Sequence, residues 1–395
     1  MNRPCPLCYS NAKEHLYHQN FYSDVISLMK EYDVVVCKAC GFVYADNIPS
    51  QEEFNTYYAK MSRYEFSHNN SEVSANYSEH ENSLIDFIEP YIKKDSKIVD
   101  VGCSTGTLLS LFKKRGYTKL FGVDPSQSCI DLIEKKYSIK GVATTLDKFN
   151  SNEKFDVIIL SAVIEHLVDI REPLWKLLWA LQDGGLLLIE VPDAGRYYQK
   201  IFTAFQQFSI EHINYFTIQS IQQLLNGYLD MTTLSIKPGE NKGNQTIDPN
   251  LLVIAQKNGR LPEYFIHDYI GKPTMKLYIR DCEELEKLTK VALEETLKGK
   301  DKVIVWGVGT NTQKLLVPGN GIDISKILYF VDSNTNYTGK KLGGLDIKLP
   351  KDIVEPNIPI LILSYSYQEE IIKQIRDMGL KNDILVIYKG KLPRR

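Results

Sequence analysis

The 395-residue sequence has no run of the roughly 18 apolar residues that an α-helix needs to cross a bilayer. Its start, Met1-Asn2-Arg3-Pro4-Cys5, lacks the apolar core of a secretory signal. Neither a membrane nor export is expected, and the cytoplasm is the expected compartment. A charge excess is missing too. Lys plus Arg is 47 and Asp plus Glu is 49, a net charge of −2. No broad positive field exists to grip a phosphate backbone, so nucleic acid is not an expected partner. Low-complexity tracts and repeats with a period of about 20–50 residues are absent.

What is present is an ordinary globular balance of 43% hydrophobic and 24% charged residues. At about 150 residues per domain the length suggests two or three domains. The chain divides into a cysteine- and tyrosine-rich stretch (1–80), an alternating strand–helix stretch (81–257), a charged helical linker (258–300) and a second alternating stretch (301–395). Short apolar runs at Lys97–Val101, Leu120–Val123, Phe155–Leu160 and Leu186–Val191 read as strands with helices between them. That alternation predicts an α/β fold with a mainly parallel sheet. The linker helix carries Leu285, Leu288, Val291 and Leu297 as its packing face. Val303–Trp306 leading into Gly307 predicts a second, smaller Rossmann-like unit at the C-terminal end.

Cys5-Pro-Leu-Cys8 and Cys37-Lys-Ala-Cys40-Gly41 are two C-x-x-C knuckles separated by 28 residues. Cysteines in a reducing compartment serve as thiols or metal ligands rather than disulfides. Four thiolates make a closed tetrahedral site, suited to structural Zn2+ with no open position for chemistry. An iron–sulfur cluster or a set of reduced thiols is the alternative. Cys103, Cys129 and Cys282 stand alone and read as inert.

The segment Asp100-Val-Gly102-Cys103-Ser104-Thr-Gly106 follows a strand and opens a helix, and its glycines let backbone approach a ligand. The next strand ends in Asp124-Pro125, about 20 residues on, where a ribose diol is held. A dinucleotide turn reads G-x-G-x-x-G. Here an acidic residue leads, which repels a pyrophosphate and favours an ammonium group.

The pattern resembles motif I of the class I S-adenosylmethionine-dependent methyltransferases. The resemblance continues through Phe155–Leu167 and through Leu181–Asp193, and covers about 85–257. It implies S-adenosylmethionine as cofactor, with Asp100, Gly102, Cys103 and Ser104 along the methionine part and Asp124 on the ribose. Pro125, Leu146 and Asp147 would flank the adenine, and Ser161 and Ala162 the sulfonium carbon. Ser104 stands where the family usually has glycine.

Glu211-His212 lies in a loop beyond the fifth strand, before Thr217, which reads as the N-cap of a helix from Ile218. Methyl transfer needs an aligned acceptor and removal of its proton. A histidine with a pKa near 6.5 suits that at neutral pH, so His212 is the candidate base, with Glu211 its neighbouring carboxylate. The order of zinc module, methyltransferase core with E-H-x-x-Y-F and second Rossmann-like domain is similar to the sugar C-methyltransferases that act on nucleotide-linked deoxyketosugars. A nucleotide-linked sugar is then the implied partner, in surface-glycan or specialised sugar biosynthesis. Two features of that family are missing: the Tyr-His before Glu211-His212, replaced by Ser209-Ile210, and a His-Gly-Gly-Ser segment, absent from 240–249. Enolate chemistry at carbon needs more groups than alkylation of a hydroxyl, so O-methylation is favoured over C-methylation. A non-catalytic scaffold is the remaining alternative.

Overall fold

The computed structural model describes residues 2–22, 28–61, 75–242, 246–258 and 265–388. Part of the expected linker, 259–264, and the end of the last stretch, 389–395, lie outside the described residues.

The N-terminal strands are β1 (Lys13–Asn20), β2 (Glu31–Cys37) and β3 (Val43–Asp46), paired antiparallel. The β-branched run Val34-Val35-Val36 is buried on both faces of β2, which is why the loop between the cysteine knuckles is a hairpin rather than irregular chain.

The central sheet uses β4 (Lys97–Val101), β5 (Lys119–Asp124), β6 (Lys140–Ala143), β7 (Phe155–Ser161) and β8 (Leu181–Pro192), all parallel. A short β9 (Asn214–Tyr215) leaves this unit and pairs with β3. β10 (Met231–Lys242) and β11 (Ile247–Lys257) add two antiparallel strands, giving the order β10-β11-β8-β7-β4-β5-β6. Apolar clusters cover both faces, with Val99, Ile158 and Leu187 on one and Ile98, Val157 and Leu188 on the other. That two-sided burial explains the unbroken apolar runs in the sequence. The expected strands are all present. β8 starts earlier than expected because Leu181 pairs with Phe155 before the register shifts. Thr217 caps the helix Ile218–Tyr228 with its hydroxyl, as expected.

The sheet of the N-terminal stretch takes β9 from the middle of the core. The linker helix, Gly271–Thr296, packs along the core on one face. Its Met275, Tyr278, Ile279 and Cys282 join the cluster of Tyr32, Phe54, Phe208 and Tyr215. Tyr278 Oη accepts from the Gln207 backbone N–H (2.9 Å) and Cys282 Sγ from that of Phe205 (3.1 Å). Leu285 and Leu297 are buried, but Leu288 and Val291 are 51% and 52% exposed, so half of the expected packing face points to solvent.

The C-terminal sheet contains β12 (Val303–Trp306), β13 (Ile327–Val331), β14 (Lys341–Leu342), β15 (Leu345–Lys348), β16 (Ile360–Ile362) and β17 (Ile384–Val386). Its order is β14-β15-β13-β12-β16-β17, with β12, β13, β15, β16 and β17 parallel. It repeats one device of the core. Gly307 N–H donates to the Val331 carbonyl (2.8 Å), as Gly102 N–H does to Val123 (2.7 Å). Asp332 accepts from Val308 N–H (3.0 Å) and Asn334 N–H (2.9 Å). Asp124 likewise accepts from Ser104 N–H (2.9 Å) and Ser126 N–H (2.9 Å).

Candidate active site

Parallel strands end together, and the loops that leave β4, β5 and β7 splay apart around a cavity of about 310 Å³. Asp100, Gly102, Cys103, Ser104, Asp124, Pro125, Leu146, Asp147, Ser161 and Ala162 all line it. So do Glu211 and His212, from the far side. Of the expected donor-site residues only Gly106 is off the wall. It sits at φ +73° as the N-cap of the helix Thr107–Lys114, and a Cβ there would lie 2.4 Å from Ile133 Cγ2. Its freedom serves helix packing rather than ligand approach. Gly102, at φ +86°, does face the cavity region, where a Cβ would meet Val163 Cγ2 at 2.7 Å. Ser104 adopts φ +48°, the left-handed region that explains glycine at this place in relatives of the motif.

The donor end is rich in buried carboxylates. Asp100 is pushed up to about 7 by burial and then by the Asp124 charge. Glu81, on the helix Ala75–Ile88, is raised well above the usual range by burial and then by Asp100 and Glu190. Its Oε2 is buried without a hydrogen-bond partner among the described residues. Burial also pushes on Glu190, but His80 Nε2 at 2.9 Å, then Ser161 and Asn250, hold it below its ordinary value. Asp100 and Glu81, held towards the neutral acid for want of a counter-charge, suit a cationic ligand whose charge would restore their anions. Asn55 Nδ2 donates to both oxygens of Asp147 at 3.4 Å.

At the opposite end, Glu211 Oε1 accepts from Tyr57 Oη (2.9 Å). The carboxylate therefore holds a tyrosine, while the Glu211 backbone carbonyl lies 3.0 Å from His166 Nδ1. Tyr58 Oη is also 3.0 Å from that nitrogen. The rings of His166 and His212 meet edge-on at 4.9 Å. Ser209 Oγ accepts from the N–H groups of Glu211 (3.2 Å) and His212 (3.0 Å) and so shapes the loop. Glu165 is fully buried and pushed up to about 8, chiefly by burial.

Sequence reasoning missed Tyr57, Tyr58, His80, Glu81 and Glu190 as site residues. Tyr57 and Tyr58 come from a stretch without clear periodicity. The signal that existed was Glu190, an acid inside an apolar strand whose neighbours are all buried.

The four knuckle sulfurs converge. Cys5 Sγ is 3.6 Å from Cys40 Sγ, Cys8 Sγ is 3.4 Å from Cys37 Sγ, and all four lie within 4.8 Å of one another. A tetrahedral ZnS4 unit with Zn–S of about 2.3 Å has S···S edges of about 3.8 Å, so these donors fit the ion. Arg3, buried beside them, donates to the carbonyls of Ala45 (2.9 Å), Val168 (2.6 Å) and Ile213 (2.8 Å). The knuckles are thereby fastened to the segments that follow His166 and His212. The lone cysteines are inert in place: Cys282 is pushed up to about 12 by burial, and Cys103 and Cys129 are buried.

Residues 74–228 match the family model of a methyltransferase domain, and 299–386 match that of a C2185-like N-terminal domain. A ubiquinone biosynthesis O-methyltransferase from a Bradyrhizobium strain is 33% identical over 98 residues, 24% of this chain and 38% of the relative. A ubiquinone/menaquinone biosynthesis C-methyltransferase from Campylobacter jejuni is 26% identical over 109 residues, 25% of this chain and 46% of the relative. The chain thus spans less than half the length of these curated relatives. Among solved structures, the N-methyltransferase NodS of Bradyrhizobium japonicum with S-adenosylhomocysteine has a TM-score of 0.40 at 16% identity, covering 51% of this chain and 100% of that one. No helix among the described residues is long and apolar enough to cross a membrane.

Proposed function

We propose, from the premise that residues 74–228 form a class I S-adenosylmethionine-dependent methyltransferase core, that the chain transfers a methyl group to the sugar of a nucleotide-linked sugar, at a hydroxyl in preference to a carbon. One observation carries the reading. A single cavity joins a carboxyl-rich end, built on Asp100, Glu81 and Asp124, to an end bearing the imidazoles of His166 and His212 and the Tyr58 hydroxyl.

The roles follow from placement. Asp124, already fixed by two backbone N–H groups, presents its carboxylate to the ribose. Asp100 and Glu81 face the ammonium, whose charge offsets theirs. The sulfonium carbon is directed across Ser161 and Ala162 towards His166 and His212. As the acceptor oxygen forms its bond to that carbon, the carbon–sulfur bond breaks, its electron pair stays on sulfur, and the acceptor proton passes to the His212 side of the cavity. The cysteine quartet holds Zn2+ as a structural ion, and the module acts by fixing the loop that carries His212.

The sugar acceptor is supported by the order of the three units. The curated relatives act in quinone biosynthesis by their names, so a quinol precursor is the control acceptor. The test incubates the protein with S-adenosylmethionine and a panel of nucleotide sugars and follows products by mass spectrometry. A sugar nucleotide heavier by one methylene supports the reading. Turnover only of the quinol precursor, or of protein or RNA, rejects it. Solvent deuterium at the modified sugar carbon would move the product from O- to C-methylation.

A further inference from the structure

We propose that Glu165, His166 and His212 form a second metal site, for a borderline divalent cation, in the floor of the acceptor end. The residues come from two elements. Glu165 and His166 lie in the short turn Ile164–His166, and His212 in the loop before β9. Ile213 N–H donates to the Glu165 carbonyl (2.9 Å), which holds turn and loop together. One donor atom from each of the three side chains lies within 4.8 Å of the others, and His166 Nε2 is 3.8 Å from Glu165 Oε1.

Three observations point to a cation rather than to packing. First, Glu165 is completely buried, and neither carboxylate oxygen has a hydrogen-bond partner among the described residues. A buried carboxyl group whose two oxygens have no hydrogen-bond partner is costly in either protonation state, and a bound cation would supply the missing partner. Second, His166 is anchored through Nδ1, which lies 3.0 Å from both the Glu211 carbonyl and Tyr58 Oη. The tautomer that donates from Nδ1 to that carbonyl leaves the lone pair on Nε2, the nitrogen 3.8 Å from Glu165 Oε1. A ligating histidine ordinarily has its other ring nitrogen anchored in this way. Third, His166 and His212 line the cavity whereas Glu165 lies behind it. An ion held by all three would turn its remaining positions towards the acceptor.

Two imidazoles and one carboxylate with open positions suit Mn2+, Fe2+, Co2+ or Zn2+. This donor set differs from the four sulfurs of the knuckles, which close their ion off from solvent. The acceptor role rests on the function proposed above. An acceptor oxygen on such an ion would lose its proton more readily, and the proton would leave through the cavity to solvent; with its lone pair on the ion, His212 would hold the metal and would not itself take that proton. Adjacent oxygens, as in a sugar diol, are the ligand chemistry that fills two open positions.

The test uses the full chain with its thiolate-bound metal retained and weakly held ions dialysed away. MnCl2 alone is titrated calorimetrically, with metal content read by elemental analysis, into the native protein, Glu165→Gln and His212→Ala. S-adenosylhomocysteine binding and circular dichroism are measured in parallel. The native chain is expected to hold about one Mn2+ beyond the thiolate metal, and each variant to bind it about 10-fold or more weakly. His212 is only half-buried, so its variant serves if Glu165→Gln does not fold. No Mn2+ bound beyond the thiolate site, or equal binding by native chain and variants, overturns the proposal. S-adenosylhomocysteine binding without a second metal defeats only this site. A second metal without S-adenosylhomocysteine binding defeats the donor reading instead.

Discussion

At the scale of single residues, two groups make the account testable. His212→Ala should lower kcat by about 10²–10⁴ while S-adenosylhomocysteine affinity stays within about twofold, because the ring lies away from the donor end. An equal loss of donor affinity would show that the loop supports the whole cavity instead. Asp100 sets a pH dependence. Its folded-state pKa is raised, to about 7, by burial and Asp124. The empty native chain therefore keeps a proton that the unfolded chain releases at lower pH. Stability from this group is present in acid and is lost as pH rises through about 7. Donor binding needs the anion, so affinity for S-adenosylhomocysteine should fall as pH drops below that value, with proton release on binding. Calorimetry in buffers of different ionisation enthalpy reads that release, and a pH-independent affinity without proton exchange contradicts it. That Asp100, Gly102, Cys103 and Ser104 share one cavity wall was legible because a single strand–turn–helix motif carries them. Tyr58, His80 and Glu81 were not legible, since they reach the cavity from the helices Gln51–Met61 and Ala75–Ile88, outside that motif.

At the scale of elements, the two glycines of the first turn have different duties that spacing alone does not separate. Gly106→Ala forces a Cβ against Ile133 at φ +73° and should cost about 1–3 kcal/mol of stability, seen as a lower Tm. Its donor affinity should be nearly unchanged, because no lining atom is altered. Gly102→Ala meets Val163 on the cavity side and should weaken donor binding as well. Similar affinity losses for both would remove the distinction. The strands β4, β7 and the second half of β8 were readable for a plain reason: they are buried on both faces and so spelled by consecutive apolar residues. The packing face of the helix Gly271–Thr296 was misjudged at Leu288 and Val291. The cluster that takes this helix begins at Met275 and Tyr278, and their phase selects Cys282, Leu285 and Leu293 instead.

At the scale of the whole molecule, the cysteine knuckles, β9 and the loop that carries His212 are tied into one unit. Val43 pairs with Tyr215, three positions after His212, and Arg3 ties the carbonyls of Val168 and Ile213 together. No local pattern announces a pairing so distant in sequence, which is why the strand that 214–215 adds to the N-terminal sheet was not legible. Removing the thiolate site with Cys37→Ser, with Mn2+ in excess to keep the second site loaded, should therefore lower turnover more than donor binding. Arg3→Ala, which leaves several carbonyls without a donor, should cost about 1–3 kcal/mol and lower kcat in the same direction. Retained turnover in the Cys37→Ser protein would mean that the knuckles are a passive appendage. The C-terminal unit repeats the turn-and-aspartate device at Gly307 and Asp332, and its burial of Lys314 against the carbonyls of Ala204 and Phe205 docks it on the core.

The central claim is that the carboxylate-lined cavity clasps a sulfonium donor. Titration of the native chain with S-adenosylhomocysteine, beside Asp124→Ala, tests it most directly. One site per chain, with binding weakened at least about 10-fold in the variant, is the predicted result. No binding to the native chain, or equal binding to both proteins, would contradict it.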